Sequence, residues 1–204
     1  MVHGRAGNVK TAGTLKRGGY KGKWFVVIDD EDECEEAYRE EFGDHVVQFC
    51  KRDIARTFDE AALEGDRTTI VYARNACFDI AEQVGVRYFL ELDDDYTSFQ
   101  HRHIDGGKLV GVEFGDLEEL FSAMVDFLSE TRAKTVAMAQ GGDFIGGASS
   151  ANYRKRVMRK TMNTLFCDVA NRFNFVGRVN EAVHTYTTGA MRGERLLSVA
   201  YTLV

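Results

Sequence analysis

The chain of 204 residues contains no proline, where average usage of about 5% predicts roughly ten. That absence points to no function by itself. No apolar run approaches the roughly 20 residues that span a bilayer. No secretory apolar region follows the first methionine. Membrane insertion and export are therefore not expected, and a cytoplasmic location is (that of the host cell if a phage encodes the protein). The four cysteines, Cys34, Cys50, Cys77 and Cys167, include no C-x-x-C pair, which excludes a zinc ribbon. Dispersed cysteines suit a reducing compartment and read as small buried hydrophobes. Acidic residues are missing from Met1 to Lys23, a Gly-, Lys- and Arg-rich stretch that reads as a flexible basic loop. No internal repeat is present.

The residues that are present specify a folded, soluble domain. Hydrophobic residues make up 44% and charged residues 28%, enough for a core and too apolar for disorder. The formal net charge of -6 excludes a surface that grips nucleic acid all round, but leaves room for a local basic patch. The length suits a single domain over 1–204. It divides into the basic segment 1–23, a nucleotide-binding half 24–95 and an acceptor half 96–204.

Short apolar runs alternate with amphipathic stretches. Trp24 to Ile28 reads as a buried strand that ends in Asp29-Asp30. A charged helix follows over 32–42, then a strand over 46–49. Thr68 to Tyr72 is strand-like. Arg74 to Val84 has helical spacing and stops at Gly85. Arg87 to Leu92 is a strand that ends in Asp93-Asp94-Asp95. A hairpin over 101–110 turns at Asp105-Gly106-Gly107. Asp116 to Glu130 is an amphipathic helix, and Val136 to Ala139 is a strand leading into the glycine-rich loop 140–147. Arg154 to Arg172 reads as a basic helix, and 184–204 mixes alternation with turns. The expected architecture is α/β, a mostly parallel central sheet of Rossmann-like type flanked by helices, with a small β-hairpin.

The chemistry gathers at strand ends, where open α/β sheets bind ligands. Three consecutive carboxylates repel one another unless a cation or hydrogen bonds offset their charge. Oxygen ligands suit Mg²⁺ or Mn²⁺. The same residues also read as a solvated acidic turn. Arg74 and Asn75 at a helix start favour an anion, or serve as a surface arginine beside a capping asparagine. Asp29 and Asp30 can accept from a base or ribose, or simply cap a turn. The glycines of 141–147 permit close backbone approach, with Asp143 and Phe144 as acceptor contacts. His101 and His103 can share one strand face. Arg154, Lys155, Arg156, Arg159 and Lys160 form a basic cluster able to meet DNA phosphates, or a solvated face.

The ordered motifs R-A-G-N-V-K-T (5–11), Y-A-R-N-A-C-F-D-I-A (72–81), L-D-D-D-Y-T (92–97), Q-G-G-D-F-I-G-G (140–147) and G-R-V-N-E (177–181) resemble those of phage-encoded GT-A glycosyltransferases. These include the TET-associated glycosyltransferases that decorate hydroxymethylated pyrimidines in DNA. The resemblance implies a GT-A-like fold and transfer of a hexose from a nucleotide-sugar donor, a UDP-sugar, to an acceptor hydroxyl with inversion. It implies Mn²⁺ or Mg²⁺ as cofactor. Asp29 or Asp30 would read the base. Arg5, Arg74 and Asn75 would lie near the nucleotide, with Asp93 and Asp94. Asp93 and Asp95 would bracket ribose and metal, with His184 as an extra metal ligand, and Glu181 would be the general base. Resembling sequences carry Asp where this chain has Ala182, and an apolar strand ahead of Arg5. A sheet edge exposed there would invite a second subunit, giving a homo-oligomer. A nucleotidyltransferase and a catalytically impaired nucleotide-binding module are the alternatives.

Overall fold

The computed structural model describes residues 1–58, 69–140, 146–150, 161–177 and 181–204. Strands β1 (Val26–Asp29) and β2 (Val46–Phe49) pair in parallel as a two-stranded sheet. Six further strands form a second sheet: β3 (Tyr88–Glu91), β4 (Gln100–Asp105), β5 (Lys108–Glu113), β6 (Thr135–Ala139), β7 (Leu165–Asp168) and β8 (Leu196–Leu203). Their spatial order is β3-β7-β6-β8-β4-β5. Only β6 and β8 run parallel; the other four pairings are antiparallel.

The expectation of a mostly parallel central sheet is therefore overturned. The reason lies in the second half of the chain. The stretch expected to be a basic helix over 154–172 contains the apolar run Leu165-Phe166-Cys167. These residues are buried and form β7, antiparallel between β3 and β6. The tail is likewise α6 (Glu181–Met191) followed by β8, which pairs with β6 and then with β4. A strand inserted antiparallel needs no helical crossover, so strand-helix alternation in the first half did not extend to the second.

Helices cover both faces. Along β6, Ala137 belongs to the cluster under α4 (Val71–Gln83), with Phe78, Ile80 and Leu165. Val136 and Met138 point the other way, with Phe121, Met124 and Leu128 of α5 (Leu117–Thr131). That split is the two-residue period of a strand buried on both faces. α1 (Lys10–Arg17) adds Leu15 to the α5 side, and α2 (Glu35–Phe42) closes β1 and β2 through Tyr38. α3 (Lys51–Ala55) follows β2 directly.

Two further local expectations are overturned. The basic N-terminal stretch is not a free loop: Thr11, Thr14 and Leu15 are buried on one side of α1, the i, i+3, i+4 stripe of a packed helix. The strand-like run 68–72 ends inside α4, where Val71 and Tyr72 are fully buried; packing overrides their β propensity. The turns hold as read. Gly85 at φ 72° follows α4, where the Val86 amide reaches the Ala81 carbonyl, as in a Schellman ending. Gly106 and Gly107 at φ 53° and 77° turn the β4-β5 hairpin, the pair of left-handed residues that a two-residue turn requires. The four cysteines are free, and only Cys77 and Cys167 are buried.

The Asp116 carboxylate accepts from the Glu118 and Glu119 amides at 2.9 and 3.1 Å, capping α5. Asp116→Ala should cost about 1 kcal/mol. Urea denaturation should show a lower midpoint with an unchanged slope.

Candidate functional site

β1 and β3 end side by side at an open pocket of 330 Å³ whose walls include His3, Arg5, Asp29, Lys51, Tyr72, Asp93, Asp94 and Asp95. A larger cavity of 390 Å³, lined mostly by apolar residues, lies behind it. The smaller pocket holds the chemistry, because convergent charged groups, not apolar volume, select a polar ligand.

Three of its four carboxylates have side-chain partners. Asp29 is buried, with His3 Nδ1 at 2.7 Å from one oxygen and the Lys51 ammonium at 2.9 Å from the other. The Glu31 amide also donates to Asp29. Arg5 Nη1 donates to both oxygens of Asp94 at 3.2 and 3.3 Å. The Tyr96 hydroxyl donates to Asp93 Oδ2 at 3.3 Å, and Arg74 lies 3.9 Å from Asp93 Oδ1. Asp95 is exposed. The turn itself is pinned by Thr11: its hydroxyl donates to the Asp93 carbonyl at 2.6 Å and accepts from the Tyr96 amide at 3.0 Å, and its amide donates to the Asp94 carbonyl. The Arg5 amide donates to the hydroxyl of Tyr38, whose own titration burial pushes up to about 12.

The remaining expected residues sit behind or beside the pocket. Asp30 is exposed and accepts from the Lys51 amide at 2.9 Å. Burial pushes its carboxyl up, but that hydrogen bond, the Cys50 thiol and the Lys51 charge outweigh it and hold it below the usual range. Arg74 and Asn75 lie in the second turn of α4, not at its start. Asn75 is fully buried, donating to the Phe175 carbonyl and accepting from the Phe175 amide, both at 2.9 Å. It clamps the segment after β7 instead of facing the pocket. Arg74 is buried, and its Nη1 stands 3.0 Å from Glu181 Oε1, close but not aligned as a hydrogen bond. One guanidinium thus joins Glu181 to Asp93.

Ala182 is 3% exposed. Glu181, at the start of α6, is therefore the carboxylate that the helix presents to Arg74. His184, one turn on and exposed, stacks near Gly177. His101 and His103 share a face of β4, with ring centroids 5.6 Å apart. Asp143, Phe144 and the cluster Arg154, Lys155, Arg156, Arg159 and Lys160 lie outside the described residues.

Lys51, His3 and Thr11 are the site residues that sequence reasoning missed. Lys51 carried a signal, a cation two residues past an apolar strand whose last residue lines the pocket. His3 and Thr11 carried none, because their role depends on the N-terminal segment folding across both strand ends.

Among the described residues, no three His, Cys, Asp or Glu side chains form a ready metal cage. The donor set suits a hard divalent cation that takes one or two carboxylates and completes its shell with substrate phosphate oxygens.

A family model described as TET-Associated Glycosyltransferase matches residues 1–204. The chain belongs to the TET-associated glycosyltransferase family. It is therefore a glycosyltransferase by family. No curated protein and no solved structure matches it. Among the described residues, no helix of this glycosyltransferase is long and apolar enough to cross a membrane.

Glu91, at the end of β3, is buried with neither carboxylate oxygen hydrogen-bonded to a described residue. Burial pushes its carboxyl up to about 8, against the opposing pull of Arg74 and the Met1 ammonium. A folded value above the ordinary 4.5 means that folding favours the protonated form. The associated stability is full below about pH 4.5 and is lost as pH rises through about 8. Glu91→Gln should remove that dependence. Between about pH 5 and pH 9 the variant should lose about 2–4 kcal/mol less than the wild type, read by calorimetry at both values. Equal losses would show that Glu91 does not titrate in that window.

Proposed function

We propose that the protein transfers a hexose from a UDP-sugar to an acceptor hydroxyl, with inversion and with the help of Mn²⁺ or Mg²⁺. The observation that carries this reading is one pocket that gathers Asp29, Asp93, Asp94 and Asp95 from the ends of β1 and β3 together with Arg5 of the N-terminal segment. Glu181 is tied to the same group through Arg74.

In this reading Asp29, oriented by His3 and Lys51, accepts from an N–H of the uracil-type base. Arg5 lies against the nucleotide. Asp93 and Asp95 would hold the cation together with diphosphate oxygens, and the cation would offset charge on the departing diphosphate. The acceptor oxygen attacks the anomeric carbon as the bond from that carbon to the diphosphate breaks. The acceptor proton passes to Glu181. Arg74 holds Glu181 Oε1, so Oε2 is the oxygen that takes the proton. The leaving group departs as nucleoside diphosphate, and the sugar arrives with inverted configuration.

The family's description as TET-associated supports a hydroxymethylated pyrimidine in DNA as acceptor. The basic residues between Arg154 and Lys160 in the sequence are consistent with phosphate contact.

Thermal-shift measurements with UDP and UDP-sugars, with and without Mn²⁺, test the donor site. Metal-dependent stabilisation should appear in the wild type and vanish in Asp95→Ala. No shift with any nucleotide diphosphate would refute the donor assignment. Glu181→Gln should keep that donor shift while lowering kcat on a DNA oligonucleotide containing hydroxymethylcytosine by about 10²–10⁴-fold. An unaltered kcat would remove Glu181 from the proton transfer.

A further inference from the structure

Residues 1–23 hold six of the chain's 26 lysines and arginines and no Asp or Glu. The rest of the chain, with 20 basic residues against 32 acidic, therefore carries -12. In the fold, α1 displays this asymmetry. Thr11, Thr14 and Leu15 form its buried side. At about 100° per residue the outer side holds Lys10, Gly13, Lys16 and Arg17, and all four are exposed. Among the described residues, none of the three cations pairs with a carboxylate. Lys21 differs, because its amide donates to Glu118 and brings that carboxylate beside it.

Two features of α1 work against the helix itself. Lys10 opens it, where the macrodipole disfavours a cation, and the first turn has neither an acidic residue nor a side-chain cap. Gly13 stands in the helix interior, where alanine would favour the helix more. A Cβ at Gly13 would meet only Arg17 Nη1, at an ordinary 3.4 Å. Packing explains neither residue.

Arg17 is anchored. Its Nη2 donates to Thr14 Oγ1 at 2.9 Å and to the Thr97 carbonyl at 3.1 Å. Its Nη1 lies beside Gly13 and, like Nε, donates to no described residue. A guanidinium fixed through one nitrogen, with N–H groups free on the others, is preorganised for an oxyanion. The bare glycine beside it lets that anion come close.

The same helix leads to the site. Thr11 holds the Asp93-Asp94 turn, and Arg17 holds Thr97 just beyond it. Lys10 and Arg17 are about 10 Å apart along the axis, a length that covers about three phosphates of one DNA strand.

We propose that the outer face of α1 binds the phosphodiester backbone of the DNA acceptor. Lys10, Lys16 and Arg17 meet phosphates around Gly13, and the bound strand delivers a neighbouring nucleotide to the pocket. This inference rests on DNA being the acceptor.

Fluorescence anisotropy of a labelled oligonucleotide containing hydroxymethylcytosine, titrated at several salt concentrations, tests it. The triple variant Lys10→Gln, Lys16→Gln, Arg17→Gln should bind about 10-fold or more weakly at 0.1 M salt. Its plot of log K against log salt should be shallower by about 2–3. Gly13→Glu should bind well below Gly13→Gln, its neutral match in size. All of these variants should keep the wild-type circular dichroism and the thermal shift with UDP and Mn²⁺. Wild-type affinity and salt slope in the triple variant would overturn the proposal and leave DNA standing as acceptor. Equal affinities of Gly13→Glu and Gly13→Gln would do the same. Should the triple variant fail to fold, the Gly13 pair decides alone. An oligonucleotide that binds the wild type at no salt concentration would overturn both this proposal and the DNA acceptor, while the UDP shift reads the donor site separately.

Discussion

Carboxylates repel one another, yet Asp29, Asp93, Asp94 and Asp95 share one pocket. Most of the site's structure is what keeps them together. Asp29 has His3 and Lys51, Asp94 has Arg5, and Asp93 has Tyr96 and the more distant Arg74. The compensating groups come from the N-terminal segment, from the start of α3, from α4 and from the turn after β3. No single element could supply them, because a carboxylate at a strand end needs partners that approach from outside the strand. Asp95 is the exposed member of the set and the one best placed to meet a ligand.

Thr11 turns this electrostatic arrangement into a geometric one. Its amide and hydroxyl contact three backbone groups of the one turn: the Asp93 carbonyl, the Asp94 carbonyl and the Tyr96 amide. The acidic turn is therefore set by α1, a helix whose inner side is buried against the large core cluster around Phe121 and Met138. Thr14, one turn on, donates to the Tyr96 carbonyl at 2.8 Å, so two threonines of α1 hold the acidic turn. On the far side, Asn75 bonds both polar groups of Phe175, holding the chain that leads toward Glu181. Arg74, its neighbour, reaches Glu181 itself. Adjacent residues on one helix thus serve separate purposes, one anchoring backbone and the other linking charges.

The two cavities divide by chemistry. The pocket at the strand ends is lined by charged side chains, which suits a polar ligand. The larger cavity, with Val27 of β1 and Leu90 of β3 in its walls, is lined mostly by apolar side chains. Met1, Val2, Asp93 and Asp94 line both cavities.

Much of the local structure was legible in the sequence. The runs ending in Asp29-Asp30 and Asp93-Asp94-Asp95 are strands, and Asp29, Asp93, Asp94 and Asp95 line one pocket. The helix over 116–130, its Asp116 cap, the Gly85 stop and the Gly106-Gly107 turn also stand as read. These features depend on side-chain periodicity and on backbone preferences of single residues, which act over a few positions. What only the tertiary structure decided are the partners. β7 lies antiparallel where a basic helix was read, because burial of Leu165, Phe166 and Cys167 depends on β3 and β6, distant in the chain. Asn75 is a buried clamp, Arg74 a charge link, and Lys51 and His3 the partners of Asp29. A charge has no period, so which opposite charge it meets follows from the fold that brings the strand ends together.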